Sequence, residues 1–251
     1  MNSNNEKIAI ITGVSNEKGI GAAICRRLAS EGIDIFFTHW NAVSNWEENF
    51  RNEMIESGVR CAGIELDLSK SDSPELLIRE VTSLLGIPSI LVNNAAHSID
   101  SCFMDLDAKI LDDHYYVNVR STSLLCVEFA RLIQKTDSKF GRIINLTSGQ
   151  QLGPMPGNLA YVATKGAISS ITLSLSAELA HLGITINAVN PGPTDSTWMT
   201  DEIREYLLPK FPMGRIGQPD DAARIISFLA SEDAGWITGQ VIHSEGGFYR
   251  G

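Results

Sequence analysis

The chain has 251 residues, and 20 lysines and arginines against 30 aspartates and glutamates give a formal net charge of −10. This acidity argues against broad, nonspecific binding to nucleic acid or to anionic membranes. With 43% hydrophobic and 20% charged residues, the composition excludes the disordered and fibrous classes. No uncharged apolar run approaches the ~20 residues that a membrane-spanning helix needs. A soluble globular protein is therefore expected.

Short apolar runs alternate with amphipathic stretches along the chain. Strands are predicted over residues 7–12, 33–38, 59–66, 89–93, 141–147, 184–190 and 240–243. Helices are predicted between them, over residues 21–30, 44–57, 74–85, 107–135 (with at most a small break), 159–182 and 219–231. Continuous apolar strands joined by helices indicate parallel strands buried on both faces. The pattern predicts an α/β fold, a doubly wound parallel sheet of about seven strands.

Neither a linker nor a repeat interrupts this alternation, so residues 1–251 are expected to form one domain. The amino-terminal stretch lacks a basic segment before its short apolar run, which predicts no secretory signal and a cytoplasmic protein. Reduced thiols are then expected at all four cysteines, Cys25, Cys61, Cys102 and Cys126. The histidines show neither HxxxH nor HExxH spacing, so no metal site is expected.

A glycine-rich loop joins the first predicted strand to the first helix. Gly13, Gly19 and Gly21 allow the backbone to turn sharply and to approach a pyrophosphate closely. The charge of that group would meet free N–H groups at the start of the helix. The alternative is that these glycines end the strand for steric reasons alone. The position between strand and helix favours a dinucleotide site.

A tyrosine and a lysine lie on one face of the predicted helix over residues 159–182. Tyr161 and Lys165 are four positions apart, which places their side chains together. A free tyrosine has a pKa near ~10, and a nearby ammonium is expected to lower it toward working pH, as general acid–base catalysis requires. Ser148, at the end of a predicted strand, could bond a substrate oxygen. Such a pair often arises by accident in amphipathic helices, so its meaning depends on Ser148 and the glycine loop.

Together these motifs resemble those of the short-chain dehydrogenases/reductases over nearly the whole chain. Residues 12–21 resemble the family's TGxxxGxG loop, 93–96 (NNAA) its NNAG segment, 161–165 its YxxxK and 191–192 its PG motif. The tail GQVIHSEGGF resembles the end of 3-oxoacyl-carrier-protein reductases. The resemblance implies a Rossmann-type fold, a nicotinamide cofactor and a homotetramer that pairs through its two long helices.

Two positions depart from the family pattern. Five residues separate Gly13 from Gly19 where the family usually has three, so residues 16–18 have no certain counterpart. Ala96 replaces the usual glycine, which is expected only to crowd the cofactor side of that turn.

The resemblance also implies site residues. The catalytic set is Asn118, Ser148, Tyr161 and Lys165. By this resemblance, Asn118 would hold a water of the proton relay, and Lys165 would also bind the nicotinamide ribose. The implied cofactor contacts are Gly13, Ser15, Lys18, Gly19, Ile20, Gly21, Thr38, Asp67, Leu68, Asn94, Ala95, Tyr161, Lys165, Pro191, Gly192 and Thr194. For Asp67 the alternative is a helix N-cap, and for Thr194 a turn residue.

The cofactor is expected to be NADPH (or NADP in the oxidative direction) rather than NADH. The second strand ends Thr38-His39-Trp40-Asn41, without the carboxylate that usually binds the ribose of NAD. Lys18 could place a positive charge beside a 2′-phosphate, and Thr38 and Asn41 could add hydrogen bonds. The alternative for Lys18 is a solvated loop residue.

The expected activity is reduction of a carbonyl, with a 3-oxoacyl thioester of acyl carrier protein or coenzyme A as substrate, in fatty acid metabolism. Loops 149–158 and 195–213 flank the site and carry Gln150, Gln151, Met155, Trp198 and Met199. Their hydrophobic content hints at an apolar or acyl substrate. The alternatives are a dehydrogenase of a sugar, polyol or other secondary alcohol, and a noncatalytic nucleotide-binding member. Enoyl reductases of the family have six residues between tyrosine and lysine, so they fit less well.

Binding of a carrier protein is an open point in the sequence. That partner is acidic, and family members that bind it tend to have arginine on the tyrosine–lysine helix, where this chain has Ala177 and Leu182. A local basic patch could still come from Arg131, Lys135 and Lys139.

Overall fold

The structure, a computed structural model, describes residues 7–250. Within that range seven strands form one parallel sheet in the order β3-β2-β1-β4-β5-β6-β7. The strands are β1 (Ile8–Ile11), β2 (Asp34–His39), β3 (Cys61–Glu65), β4 (Ile90–Asn93), β5 (Gly141–Leu146), β6 (Ile184–Asn190) and β7 (Val241–His243). The predicted fold class is confirmed. The export-signal expectation rests partly on residues 1–6, which lie outside the described residues.

Helices lie on both faces of the sheet. They are α1 (Ile20–Ala29), α2 (Trp46–Glu56), α3 (Ser73–Leu84), α4 (Ala108–His114), α5 (Thr122–Gln134), α6 (Leu159–Leu179), α7 (Asp201–Leu207) and α8 (Pro219–Ala230). Each parallel pair of strands needs a crossover, and most of these helices provide one.

The core has two apolar layers because successive strand residues point to opposite faces of the sheet. Ile11 and Phe37 belong to the layer that includes side chains of α1, α2 and α8. Ile10 and Phe36 belong to the layer that includes side chains of α3 and α5. Full burial of one such side chain contributes ~1.5–3 kcal/mol, so the central strands are the most firmly held part of the fold. They form the rigid base from which the site loops emerge.

Two elements differ from the sequence prediction. The helix predicted over residues 107–135 is interrupted by a π-helical segment, Tyr115–Ser121, between α4 and α5. Helix α7 lies inside the stretch predicted as loop 195–213, and Thr200 caps it by accepting from the N–H of Ile203. π-Helical turns occur frequently at functional sites, and this one contains Asn118.

Across residues 7–250, no helix is both long and apolar enough to cross a bilayer. The same part of the chain contains no group of three or more histidine, cysteine or acidic side chains arranged for a metal ion. The four cysteines carry free thiols, and all but Cys102 are buried.

Candidate active site

The predicted site lies at the carboxyl edge of the sheet, where β1 and β4 are neighbours. The strand order reverses at this point, because β2 and β3 lie to one side of β1 and the later strands to the other. Connections leave in opposite directions there and open a crevice for a ligand. The glycine loop follows β1, and the Asn93–Ala96 segment follows β4.

Hydrogen bonds join these two loops. The hydroxyl oxygen of Thr12 accepts from the N–H groups of Asn94 and Ala95 at 3.1 and 3.0 Å. The Asn94 amide donates to the carbonyls of Thr12 and Gly13 at 2.9 and 3.0 Å. Gly13 has φ +74°, and a Cβ there would lie 2.6 Å from Cα of Ala95. Asn94 and Ala95 therefore shape the glycine loop, whichever contacts they make to a cofactor.

The start of α1 fits a pyrophosphate. Its N-cap residue, Gly19, provides no side-chain hydrogen bond to the first turn, so the N–H groups there remain available to an anion. A Cβ on Gly21 would lie 2.8 Å from Asn94 Nδ2 and 2.9 Å from the Gly13 carbonyl, so only glycine fits. The buried Oδ1 of Asn16, beside this turn, has no hydrogen-bond partner among residues 7–250. Residues 13–21 could thus hold the phosphates of a dinucleotide.

The longer glycine loop is tied to its surroundings. Val14 N–H donates to the carbonyl of Thr38 at 2.8 Å, and the carbonyl of Val14 accepts from the Trp46 indole at 2.7 Å. The hydroxyl oxygen of Ser15 accepts from Trp40 N–H at 3.1 Å. Lys18 lies exposed on this loop and forms no ion pair with another described residue. Val14 and Ser15 thus hold the start of the loop against the end of β2.

The end of β2 differs from the sequence expectation in one respect. Thr38 accepts weakly from Gly13 N–H at 3.4 Å and is buried, so its hydroxyl supports the loop. His39 pairs with Glu47 across 3.0 Å. A carboxylate does reach this strand end: Glu65, from β3, accepts from Asn41 N–H at 3.1 Å. Sequence inspection missed it because the carboxylate belongs to the neighbouring strand.

Asp67 follows β3 and closes its own turn. Its carboxylate accepts from Ser69 N–H at 2.9 Å and lies 3.6 Å from Lys70 Nζ. Partial burial acts to raise the pKa of Asp67, but the bonds from Ser69 and the charge of Lys70 outweigh it and lower that pKa. The N-cap residue of α3 is Asp72, so the alternative role of Asp67 as that helix's cap is not observed. Leu68 is buried beside it.

Three predicted catalytic side chains lie together where β5 ends. The buried ammonium of Lys165 donates to the carbonyl of Leu146, the last residue of β5, at 2.7 Å. Its Nζ lies 5.5 Å from the centre of the Tyr161 ring. Ser148 follows two residues after Leu146, and its hydroxyl lies beside the phenol, whose pKa it acts to lower. Thr147 donates to the carbonyl of Lys165 at 3.0 Å and so joins α6 to the same strand.

Burial decides the ionisation of the two central groups. It raises the pKa of Tyr161, and hydrogen bonding with Ser148 offsets only part of that rise. It lowers the pKa of Lys165 to about 8. The pKa of Tyr161 is thus shifted upward rather than down as expected, because burial penalises the phenolate more than Ser148 favours it. At neutral pH the phenol keeps its proton, which is the form that a proton donor needs.

Asn118 lies in the π-helical segment with its amide fully engaged. Its Oδ1 accepts from His97 N–H at 2.7 Å, and its Nδ2 donates to the His97 carbonyl at 2.9 Å and to Thr164 Oγ1 at 3.0 Å. Thr164 stands between Tyr161 and Lys165 on α6. Both amide hydrogens are used, so the side chain fixes α6 against the loop after β4. The relay water remains a prediction.

The turn after β6 places Pro191, Gly192 and Thr194 beside the crevice. Gly192 has φ +67°, and a Cβ there would collide with the side chain of Glu245. Thr194 is buried, and its hydroxyl donates within the turn to the carbonyl of Gly192 at 3.2 Å. This bonding agrees with the alternative of a turn residue and does not test the carboxamide contact.

The flanking loops hold some predicted residues away from a substrate. Gln150 donates to Thr147 and Ser169 at 3.3 and 3.1 Å, and Met199 is buried. Met155 lies closer to the chemistry, because its sulfur is 3.9 Å from Ser148 Oγ. Sequence reasoning missed Thr164, Glu65 and Arg250, whose neighbours are distant in the chain and leave no local signal.

A protein-family model described as "Enoyl-(Acyl carrier protein) reductase" matches residues 13–249. The uncharacterized oxidoreductase YjdA of Bacillus subtilis is 64% identical over 251 residues, the whole of both chains. The 3-oxoacyl-[acyl-carrier-protein] reductase FabG of Staphylococcus aureus is 36% identical over 248 residues, which cover 97% of this chain and 98% of that one.

Solved structures resemble this fold over nearly its full length. A short-chain dehydrogenase/reductase from Serratia marcescens aligns with a TM-score of 0.86 and 31% identity, over 96% of this chain and 98% of that one. A blue fluorescent protein from a metagenomic library, in complex with NADPH, aligns with a TM-score of 0.88 and 30% identity, over 98% and 99% of the two chains. The chain belongs to the short-chain dehydrogenase/reductase family of NAD(P)-dependent oxidoreductases.

Proposed function

We propose that this protein is a cytoplasmic, NADPH-dependent carbonyl reductase that acts on a 3-oxoacyl thioester. The observation that carries the proposal is the cluster of Ser148, Tyr161 and Lys165 at the end of β5. A protonated phenol next to a hydroxyl donor suits reduction, because both groups can act on the oxygen of one carbonyl.

Tyr161, Ser148 and Lys165 each have a separate role in the proposed reaction. A bound nicotinamide dinucleotide supplies the hydride to the carbonyl carbon. Tyr161 donates its proton to the carbonyl oxygen as negative charge develops there, and Ser148 donates a hydrogen bond to the same oxygen. A donor aimed at a developing oxyanion typically contributes ~3–4 kcal/mol. The ammonium of Lys165, 5.5 Å from the ring centre, stabilises the phenolate that remains on Tyr161.

Apolar side chains around the site support an acyl substrate. Leu152, Trp198 and Met213 belong to the two flanking loops and are 43%, 53% and 72% exposed. Solvent-facing apolar groups of this size are common where an apolar ligand binds. The similarity to FabG supports a 3-oxo group on that acyl chain. Three residues between Tyr161 and Lys165 favour carbonyl over enoyl reduction.

Coenzyme A is the better supported carrier of the thioester. Ala177, where carrier-binding relatives tend to have arginine, is exposed and uncharged. Arg131 is engaged by Glu128, which leaves Lys135 and Lys139 as the exposed positive charges of the alternative patch. Two lysines make a weak surface for an acidic protein, whereas a small thioester needs only the site itself.

A substrate panel tests the proposed function. Acetoacetyl-coenzyme A, the acetoacetyl carrier protein, sugars, polyols and simple secondary alcohols are assayed by NADPH absorbance in both directions. We expect the highest kcat/KM for the acetoacetyl thioesters. A higher value for a sugar or polyol would establish the alternative dehydrogenase. Binding of dinucleotide without turnover of any compound would favour a noncatalytic role.

The proposed preference for NADPH rests on opposing charges near the end of β2. Lys18, on the glycine loop, supports a 2′-phosphate, and the similar structure solved with NADPH agrees with that choice. Glu65 opposes the preference, because its carboxylate accepts a hydrogen bond from Asn41 N–H and so places a negative charge at the end of β2. We therefore expect a clear preference for NADPH and measurable use of NADH.

Replacing the two charged residues separately tests this balance. We expect Lys18→Ala to lower the ratio of kcat/KM for NADPH over NADH by no more than roughly fivefold, since a single exposed charge is screened by water. Glu65→Gln should raise the ratio, because it removes a negative charge and keeps the shape. Dissociation constants for NADP⁺ and NAD⁺, from quenching of protein fluorescence, should change in parallel. Wild-type preference for NADH would contradict the assignment.

We propose a homotetramer, which the exposed apolar side chains of α5 and α6 support. Leu124 is 37% exposed and Leu173 is 62% exposed. Light scattering should show a particle of four 27.4-kDa chains. Leu173→Glu should produce smaller particles, whereas Leu84→Glu, at a 55% exposed position on α3, should leave the tetramer intact. A wild-type monomer at all concentrations would overturn the proposal.

A further inference from the structure

An ion pair near the carboxyl terminus lies next to the proposed catalytic site. Arg250 binds Glu245 through the two terminal guanidinium nitrogens, with Nη1 donating to Oε1 at 2.7 Å and Nη2 to Oε2. The side chains are only 16% and 10% exposed. Partial burial of the Glu245 carboxyl acts to raise its pKa, but the bonds from Arg250 and Asn190 outweigh this and lower the pKa. The Glu245 side chain is therefore an ionised carboxylate at neutral pH.

The Arg250 side chain fills a slot in the loop that begins at Ser148. A Cβ on Gly149 would collide with Nη2 of Arg250, and a Cβ on Gly153 would lie 3.1 Å from its Cδ. Leu152 N–H donates to the Gly149 carbonyl at 2.9 Å, which closes a turn between the two glycines. The arginine thus lies against both ends of the first turn after Ser148.

Side-chain hydrogen bonds hold the same turn from another direction. Gln150 donates to the hydroxyls of Thr147 and Ser169 at 3.3 and 3.1 Å, which joins the turn to β5 and α6. Gln150 and Arg250 are therefore separate restraints on the backbone that follows Ser148. Without Arg250, the turn keeps its attachment to α6 and loses its contact with the carboxyl-terminal segment.

Glu245 connects this restraint to the turn after β6. One carboxylate oxygen accepts from Asn190 Nδ2 at 2.8 Å, and the side chain packs where a Cβ on Gly192 would stand. Further along the same segment, Phe248 contacts loop 195–213, because its ring packs on Phe211 with ring centres 4.9 Å apart. The segment 245–250 thus touches three loops around the proposed site.

We propose that Arg250 is a positioning residue for Ser148. Its guanidinium is held by Glu245 and fixes the Gly149–Gly153 turn, so that the Ser148 hydroxyl keeps its place beside Tyr161. Positioning matters because an oxyanion donor acts only from a well-defined location. The inference rests on the proposed function, in which Ser148 donates to the substrate oxygen.

Arg250→Ala tests the inference against two other variants. We expect kcat for the best carbonyl of the panel to fall about tenfold, while the dissociation constant of the dinucleotide stays within about twofold of wild type. Gly149→Ala, which fills the slot from the other side, should have the same effect, and Arg250→Lys should recover part of the rate. Arg79→Ala, at a 71% exposed arginine on α3, is the matched control and should leave kcat unchanged.

A double mutant shows whether Arg250 acts through Ser148. In the Ser148→Ala background, Arg250→Ala should slow turnover by less than about twofold, because the group that it positions is already gone. Full additivity of the two losses would overturn the inference, and so would an unchanged kcat in Arg250→Ala. A loss confined to dinucleotide affinity would also overturn it, since that would assign the effect to the Gly192 turn.

Amide hydrogen exchange separates this inference from the proposed function. Exchange in residues 149–157 should be faster in Arg250→Ala than in wild type, and exchange in β1 and β4 should be unchanged. If wild type reduces no carbonyl, the proposed function fails and the Ser148 role fails with it, while the exchange result still reports whether Arg250 holds the turn. Unchanged exchange in residues 149–157 would contradict the restraint itself.

Discussion

Tyr161→Phe should abolish turnover and leave dinucleotide affinity near the wild-type value. The substitution removes only the phenolic hydroxyl, which lies beside Ser148 on a ring whose centre is 5.5 Å from the Lys165 ammonium. The glycine loop and the start of α1, which fit the dinucleotide phosphates, are untouched. Rates are compared under saturating cofactor, and affinity is measured by fluorescence titration of the same preparations.

The size of the loss decides whether Tyr161 is the proton donor. A variant that retains more than about a tenth of the wild-type rate would place less than ~1.4 kcal/mol of the barrier on this hydroxyl, and the assignment would fail. Tyr115→Phe is the matched control, because it removes an equivalent hydroxyl from a side chain that is 48% exposed. Its rate should equal that of wild type.

Lys165→Ala should lower both kcat and dinucleotide affinity. The ammonium is buried, donates to the Leu146 carbonyl at 2.7 Å and lies near the Tyr161 ring. Its loss removes the charge that stabilises the phenolate, and the family resemblance implies that it also removes a contact to the nicotinamide ribose. Kinetics and fluorescence titration measure the two effects separately. Unchanged dinucleotide affinity would refute the ribose contact.

The pH dependence of reduction provides a second test of Lys165. Burial lowers its pKa to about 8, so the ammonium is charged below that pH and becomes neutral as the pH rises through it. Reduction should therefore decline above pH ~8, because the neutral amine no longer stabilises the phenolate. In Lys165→Arg the charge persists to much higher pH. An identical decline in that variant would assign the titration to another group.

Local patterns in the sequence were sufficient for the fold class, and their resemblance to the family's motifs implied the proposed catalytic residues. Apolar runs such as residues 184–190 predict a buried strand, and β6 has these same bounds. Tyr161 and Lys165 share a helical face by their spacing alone, and α6 places both near the end of β5. These features depend on neighbours within one strand or one helical turn, so they can be inferred from the chain itself.

Features that depend on contacts between distant segments could not be inferred in this way. The π-helical segment around Asn118 interrupts a helix of regular periodicity, and the Asn118 amide there bonds to the backbone of His97 and to Thr164. Glu65 reaches the end of β2 because β3 is its neighbour in the sheet. Each contact joins residues that are 20 or more positions apart.

The sequence by itself determined the seven-stranded parallel sheet and the glycine loop, because periodicity and spacing act over short distances. The Ser148, Tyr161 and Lys165 group was implied by the resemblance of its motifs to those of the family. Only the tertiary structure decided how these groups ionise and what holds them. Burial raises the pKa of Tyr161, opposite to the expectation from charge alone, since solvation depends on the whole surrounding fold. Likewise, Arg250 meets Gly149 about a hundred residues earlier in the chain, a contact that exists only once the sheet has brought both ends to one edge.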